Sequence, residues 1–407
     1  MKFLKHTGLL LVLLLSYATL NSSFMPGNVL PENNTVTCAE ENSNYSTLDF
    51  ITQLTAEQIQ SYYTKRHQNI RDGFNGCVLV AKNGKPIYQG AFGYRNFWVK
   101  DTLTPQSSFQ LASTSKTFTS AAILKLVEDK IISLDDSVQS FFPNFPYHGI
   151  TVKLLLSHRT GLPDYIYWSK EFIGKGIEYL TNQTMLDLLM RKKPPVRTRP
   201  NRMFMYCNTN YALLACIIEK VSGMSYKKYM EQNIFKPLGM QNTFVFNIAD
   251  SASHCGAICY ESRWREWKLT FSDGVLGDKG IYSSVEDMLK WDNALKEEKV
   301  LSAEMLQEAY TPRSLDRYSF AGEKYKNYGY GWRMLKQKDG SYLIYHNGNW
   351  HGCNNVFARD LANGYTVIVL SNRANEKNYY TQTVWDILEN MKNEQNVAAM
   401  QQTINIQ

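Results

Sequence analysis

Ser113 and Lys116 stand three positions apart in Phe109-Gln-Leu-Ala-Ser113-Thr-Ser-Lys116-Thr-Phe118. On a helix such residues share a face, so the lysine amine can lie beside the serine hydroxyl and help to take its proton. A helix that begins at Ser113 also aims the serine's backbone N–H out of its positive end, where an oxyanion develops during acyl transfer. Two further stretches carry chemistry. Tyr206-Cys207-Asn208 offers a phenol and a carboxamide that an extended segment turns to one side, and His346-Asn347-Gly348 closes a strand-like run with a glycine that lets backbone approach a ligand. Each pattern also has a second copy: Ser225 with Lys228, Tyr94 with Asn96, Tyr325 with Asn327, and His254 with Gly256. Ser225, just after Gly223, fits a helix N-cap. Taken singly, each pattern fits a structural job.

The elements that must position these residues follow from patterning. Phe118 to Val127 is apolar nearly all round, which suits a buried helix. Asn83-Gly84 between Gly76–Ala81 and Pro86–Gly90 predicts a hairpin. Tyr342–Tyr345, Asn355–Ala358 and Tyr365–Leu370 read as strands, Ala56–Arg71 and Tyr379–Met391 as helices. Strands near both ends with helices between them predict an α+β fold: one antiparallel sheet formed by both chain ends, flanked by helices, with a helical insertion.

The chain has 407 residues, 44% hydrophobic and 20% charged, enough to bury a large core. Residues 1–18 read as a secretory signal: Lys2 and Lys5, then Gly8 to Leu15, then Ser16-Tyr17-Ala18. Losing the two lysines with it lowers the formal charge from +7 to +5. No Lys/Arg cluster concentrates that excess, so no nucleic-acid partner is implied. Residues 19–54 read as a polar, flexible leader, 55–393 as the folded domain and 394–407 as a tail. The expected location is periplasmic or secreted, with no membrane span after signal removal.

Seven cysteines, at 38, 77, 207, 216, 255, 259 and 353, leave at least one thiol unpaired. His254-Cys255 with Cys259 is half a metal site without a second pair of ligands, so a local disulfide or two buried thiols is expected rather than zinc. No metal and no cofactor is implied. There is no G-x-S-x-G elbow and no H-E-x-x-H cluster.

In their order along the chain, Ser113-Thr-Ser-Lys116, Tyr206-Cys-Asn208 and His346-Asn-Gly348 resemble the motifs of the serine β-lactamase and penicillin-binding superfamily. The branch resembled is that of class C β-lactamases and D-alanyl-D-alanine carboxypeptidases, from about Leu54 to Met391. Leu155–Pro163, Pro237–Met240, Gly277–Ser283 and Tyr328–Trp332 are similar to that branch as well. The resemblance implies a β-lactamase-like fold with Ser113 as nucleophile and Lys116 and Tyr206 sharing proton transfer. It also implies that Asn208 bonds Lys116 or a substrate amide, that His346 and Gly348 contact substrate, and that the N–H groups of Ser113 and Asn349 form an oxyanion hole. His346 and Asn347 depart from the Lys and Thr/Ser usual in the β-lactamases, and Cys207 from Ser, Ala or Gly.

Hydrolysis of D-amino-acid peptides or small esters and amides is therefore expected ahead of class C-type β-lactam hydrolysis. A slowly deacylating penicillin-binding sensor is the alternative of another kind. The expected partner is a small or peptide substrate (a peptidoglycan-like peptide, an ester or a β-lactam), and the expected state a monomer. Tyr165, Tyr167 and Trp168 are expected to line either the cleft or a surface loop.

Overall fold

Asn83 and Gly84 both take positive φ, +48° and +78°, as a tight hairpin of matching twist requires. They join strand β1 (Gly76–Lys82) to β2 (Lys85–Phe92). The computed structural model describes residues 47–69, 71, 73–172, 178–249, 256–314 and 326–404. The secretory signal, most of the leader, Cys38, His254, Cys255 and Tyr325 lie outside them.

The remaining strands are β3 (Tyr94–Asn96), β4 (Asp101–Thr102), β5 (Phe109–Gln110), β6 (Phe244–Val245), β7 (Ile281–Ser283), β8 (Lys326–Tyr328), β9 (Arg333–Lys336), β10 (Tyr342–Trp350), β11 (Cys353–Asp360) and β12 (Tyr365–Ser371). The main sheet has the order β2-β1-β12-β11-β10-β9-β8. Within it β1 and β12 join the two ends of the chain, antiparallel, from Gly76 opposite Ser371 to Lys82 opposite Tyr365. β5, β7 and β6 form a small separate sheet.

Side chains on a strand alternate between faces, and β1 and β12 are buried on both. Cys77, Leu79, Ile368 and Leu370 enter one core; Val78, Val80, Val367 and Val369 enter the other. Two terminal helices cover the second core, α1 (Thr47–Gln68) and the helix Gln382–Ile404, through Ile59, Tyr63, Val384 and Leu388. The first core holds the inserted helices α2 (Ser115–Glu128), α3 (Asn182–Lys192), α4 (Asn208–Ser222) and α5 (Val285–Lys296). The C-terminal helix is α6.

One ion cluster pins α5 to the sheet. Arg359 of β11, fully buried, donates from Nε to Asp292 Oδ1 at 2.5 Å, while Lys296 Nζ and Thr366 Oγ1 each donate to Asp292 Oδ2 at 2.6 Å. Burial pushes the Asp292 carboxyl up, but Arg359 and Lys296 outweigh it and hold the group below the usual carboxylate range.

Several expectations are corrected. α1 begins at Thr47, inside the stretch read as leader, and α6 runs through Ile404, across the stretch read as tail. His346-Asn347-Gly348 lies within β10 and does not end it. Cys259 pairs with Cys353, 94 positions away, and not with a local cysteine; spacing carries no information about such a partner. Cys77, Cys207 and Cys216 are buried free thiols. Ser225 does cap a helix, accepting from Lys228 N at 3.3 Å. No helix among the described residues is long and apolar enough to cross a membrane.

Candidate active site

At the end of β5 the chain turns through Ala112, whose φ of +51° is left-handed, into a 3₁₀ turn, Ala112–Thr114, that leads into α2. The long helix thus starts at Ser115 and not at Ser113. The turn still brings positions 113 and 116 together: Lys116 Nζ lies 3.1 Å from Ser113 Oγ. Ser113 keeps partial exposure between buried neighbours, whereas Lys116 is sealed. Its ammonium has three donors, and three oxygens meet it: Ser113 Oγ, Asn208 Oδ1 at 2.9 Å and the Asp278 carbonyl at 2.8 Å.

Tyr206 and Asn208 flank Cys207, the extended N-cap of α4 (φ −148°, ψ 122°). Asn208 opens the helix, and its backbone N and Nδ2 both donate to Asp164 Oδ2, at 2.9 and 3.0 Å. An ionised carboxylate only accepts, so Asp164 draws the amide N–H side to itself and leaves Oδ1 for Lys116. Burial raises the Asp164 pKa, against the hydrogen bonds from Asn208 and Ile166. Tyr206 stacks near the cations, its ring centre 4.9 Å from Lys116 Nζ and 5.1 Å from the Arg333 guanidinium. Its hydroxyl is buried and has no hydrogen-bond partner.

His158 clamps this segment. Its carbonyl accepts from Met205 N, and its Nδ1 accepts from Cys207 N at 3.2 Å and Asn210 Nδ2 at 3.1 Å. Asn210 Oδ1 is taken by Thr160 Oγ1, which fixes the amide and makes Nδ1 an acceptor. The ring proton therefore sits on Nε2, buried and unpartnered, in a ring 4.3 Å from that of Tyr206. Burial, then Lys116, His346 and Arg333, push the His158 pKa well below its ordinary value.

On β10, Ile344, His346 and Gly348 are the buried positions of the alternation. A Cβ on Gly348 would sit 2.1 Å from the Leu111 carbonyl and 3.2 Å from Thr114 Oγ1; glycine is what lets the strand lie against the turn that carries Ser113. His346 Nδ1 contacts the Asn347 carbonyl at 2.8 Å and so must donate, leaving Nε2 to accept from Tyr328 OH at 3.1 Å. The imidazole is wholly buried. Burial, Arg333 and Lys116 push its pKa well below the ordinary value. Asn349 exposes its side chain, and its Oδ1 accepts from Asn354 Nδ2 at 3.2 Å.

Tyr165 does not face a cleft. It is fully buried, donates to Asp278 Oδ2 at 3.0 Å and accepts from Lys279 Nζ. Tyr167 is exposed. Asp278 Oδ1, in contrast, is buried without a partner.

The structure therefore gathers Ser113, Tyr206, Asn208 and His346 around the buried Lys116, with Gly348 against the turn that carries Ser113. It adds residues that sequence reasoning missed: Asp164, His158, Tyr328, Arg333 and the Asp278 carbonyl. All five had a signal: His158, Asp278 and Tyr328 lie inside the Leu155–Pro163, Gly277–Ser283 and Tyr328–Trp332 stretches, and Asp164 and Arg333 directly follow the first and last of these. Among the described residues no group of three or more His, Cys, Asp or Glu is placed to hold a metal ion.

A family model described as Beta-lactamase matches residues 63–389. The chain is 34% identical over 322 residues to Penicillin-binding protein 4* of Bacillus subtilis (strain 168), covering 75% of this chain and 70% of that protein. It is 28% identical over 338 residues to Protein flp of Staphylococcus aureus (strain NCTC 8325 / PS 47), covering 80% of this chain and 65% of that protein. The chain thus spans about two thirds of the length of these relatives. The structure of the octameric penicillin-binding protein homologue from Pyrococcus abyssi superposes with a TM-score of 0.66 at 28% identity, covering 78% of this chain and 73% of that chain.

Proposed function

The chain belongs to the β-lactamase family of serine hydrolases, and from that premise we propose that it hydrolyses D-amino-acid peptides, or small esters and amides, through an acyl-enzyme on Ser113. The single observation that carries this reading is the Lys116 ammonium, buried and held within 3.1 Å of Ser113 Oγ by neutral oxygens alone.

In the proposed first step the Lys116–Tyr206 pair reacts in a form that has already released one proton to solvent: Ser113 Oγ attacks the substrate carbonyl carbon while its proton passes to that pair. The backbone N–H groups of Ser113 and Asn349 take the oxyanion, each worth about 2.7–4 kcal/mol in comparable sites. Collapse breaks the bond to the leaving group, which departs with the proton handed on by Tyr206. Water then attacks the acyl carbon, the pair takes a proton from the water, and Ser113 is released with its hydroxyl restored. The unpartnered Tyr206 hydroxyl supports this shuttle, because no protein group competes for its proton.

Substrate preference follows from charge. His346 is held neutral, so the cation available to a substrate carboxylate is Arg333, beside the Tyr206 ring. A fixed guanidinium pairs with a carboxylate in bidentate fashion, which favours peptides with a free terminal carboxylate. The penicillin-binding relative supports a second reading, slow deacylation after β-lactam capture. Export is part of the proposal, since the Cys259–Cys353 bridge suits an oxidising compartment. So is a monomeric state, against which the octameric homologue from Pyrococcus abyssi stands.

Intact-protein mass spectrometry with a fluorophosphonate, then benzylpenicillin, tests this. A single adduct that is lost in Ser113→Ala is expected. A penicillin adduct that persists selects the sensor or peptidase reading; one that clears as product accumulates selects a β-lactamase. Failure of both reagents to label the folded chain would overturn the acyl-enzyme.

A further inference from the structure

Between the helix Val152–Leu156 and β8 lies a cavity of about 440 Å³, within the range of small-molecule sites. We propose that it binds a small organic phosphate, and this rests on residues that take no part in the proposed acyl transfer. Lys153, Arg159 and Arg313 line it, and among the described lining residues there is no carboxylate. Asp135 and Glu308, which pair with Lys153 and Arg313, lie outside the lining.

The cations are preset. Asn201, in left-handed backbone at φ +60°, accepts from Arg159 Nε on Oδ1 at 2.8 Å and from Arg159 Nη2 on its carbonyl at 2.9 Å. Arg159 Nη1 reaches the Arg313 carbonyl at 2.9 Å. The Arg313 guanidinium rests on Tyr330, 4.1 Å from the ring centre. Arg159 adds charge from behind, its guanidinium engaged by these partners, while Arg313, fixed on the ring, gives up little freedom on gripping an oxyanion.

Donor capacity is also left over. Asn327 Oδ1 accepts from Ser314 N at 2.8 Å, Ser314 Oγ at 3.0 Å and Tyr328 N at 2.8 Å, which fixes its amide with the NH₂ on the other side. That Nδ2 and Arg313 Nε are buried and donate to nothing. Both unmet donors belong to residues that line this one cavity, and a phosphate offers the acceptors they lack. The volume exceeds what a bare ion needs, and Leu154, Pro312 and Tyr330 supply apolar wall for the attached organic group.

The cavity is wired to the candidate site by adjacency. Arg159 follows His158 and Asn327 precedes Tyr328; the rings of His158 and Tyr328 are 4.9 Å apart and both border Tyr206. A ligand that moved either backbone would be felt at Tyr206.

The test uses the full chain. Inorganic phosphate, phenyl phosphate and phenol are titrated by calorimetry, and hydrogen exchange is mapped with and without phenyl phosphate. The expected result is one saturable site for phenyl phosphate, at least tenfold weaker binding of inorganic phosphate and none of phenol. Exchange should slow at 157–159, 312–314 and 326–330. Arg313→Gln should weaken phenyl phosphate at least tenfold, and the half-buried Lys153→Gln about threefold, while Ser113→Ala leaves binding unchanged. No saturable binding, protection centred on Ser113, or full affinity in both cation variants would overturn the proposal. Should Arg313→Gln fail to fold, the exchange map of the wild-type chain decides alone. Fluorophosphonate labelling of Ser113 is scored separately, so failure here and failure of the acyl-enzyme reading are distinguishable.

Discussion

Two buried cations, Arg359 and Lys116, are treated in opposite ways. Arg359 meets a carboxylate, Asp292, which a lysine and a threonine also hold. Lys116 meets a hydroxyl, an amide oxygen and a backbone carbonyl, and no carboxylate touches it. The nearest negative charge on this path, Asp164, stands one residue back, behind Asn208. A cation paired directly with a carboxylate is locked in its charge; one cradled by neutral oxygens can exchange a proton. The first cluster leaves nothing unmet at Asp292, whereas around Lys116 the Tyr206 hydroxyl, His158 Nε2 and Asp278 Oδ1 all go without partners. Unmet buried polar groups cost stability, so the contrast separates a region built to hold from one built to react.

That contrast can be broken from either side. Tyr206→Phe should lower kcat by roughly 10²–10⁴-fold, as loss of a general acid–base does. The melting temperature should stay unchanged or rise, because the hydroxyl it removes bonds to nothing; near-normal turnover would take Tyr206 out of the chemistry. Arg359→Met should do the reverse, costing about 3–5 kcal/mol in a denaturant titration by stranding a buried carboxylate, while rate per folded molecule is retained. A variant that folds normally but is inactive would merge the two regions.

The histidines sharpen the comparison through pH. His158 and His346 have folded-state pKa values well below 6.5, so the stability they contribute is fully present above the unfolded value and is lost as pH falls below it. Between pH 7.5 and 5.5 the unfolded chain takes up protons that the folded chain refuses, so stability should fall with pH across that range. The depressed Asp292 adds its own loss only at more acidic pH, as pH falls from about 4. A melting temperature flat from pH 7.5 to 5.5 would mean that the pair is not held neutral. The smallest effect belongs to Asp164→Asn. It removes the acceptor-only group that orients Asn208, and should lower kcat/KM about tenfold, or about 1.4 kcal/mol, with a shifted acidic limb of the pH–rate profile. An unshifted profile would leave Asp164 a purely structural cap.

Sequence reasoning reached what is local or periodic. Ser113 and Lys116 meet as their spacing predicts, though through a 3₁₀ turn ahead of the helix, and Asn83-Gly84 makes its hairpin and β1 and β12 their pair where patterning put them. It did not reach groups recruited across the fold. Asp278 contributes a backbone carbonyl, which every residue has. Arg333 is near Tyr206 only because of how β9 lies beside β10, and Cys259 finds Cys353 only once the hairpin of β10 and β11 is in place. The neutral state of His346 was illegible for the same reason: burial and two nearby cations set it, and neither is written in the residues around it.

The pairing of β1 with β12 also governs how the molecule comes into being. Lys82 waits for Tyr365 and Gly76 for Ser371, so the main sheet stays open at β1 until nearly the whole chain has been made, roughly 15–60 s later at about 5–20 residues per second. For that interval β1 has only its hairpin partner and one bare edge, the kind of surface that pairs with the wrong neighbour. A chain built in this order cannot finish folding as it emerges. It has to be kept unfolded or shielded until its last strand is synthesised, and loss of that strand would cut β2 and β1 off from the rest of the sheet.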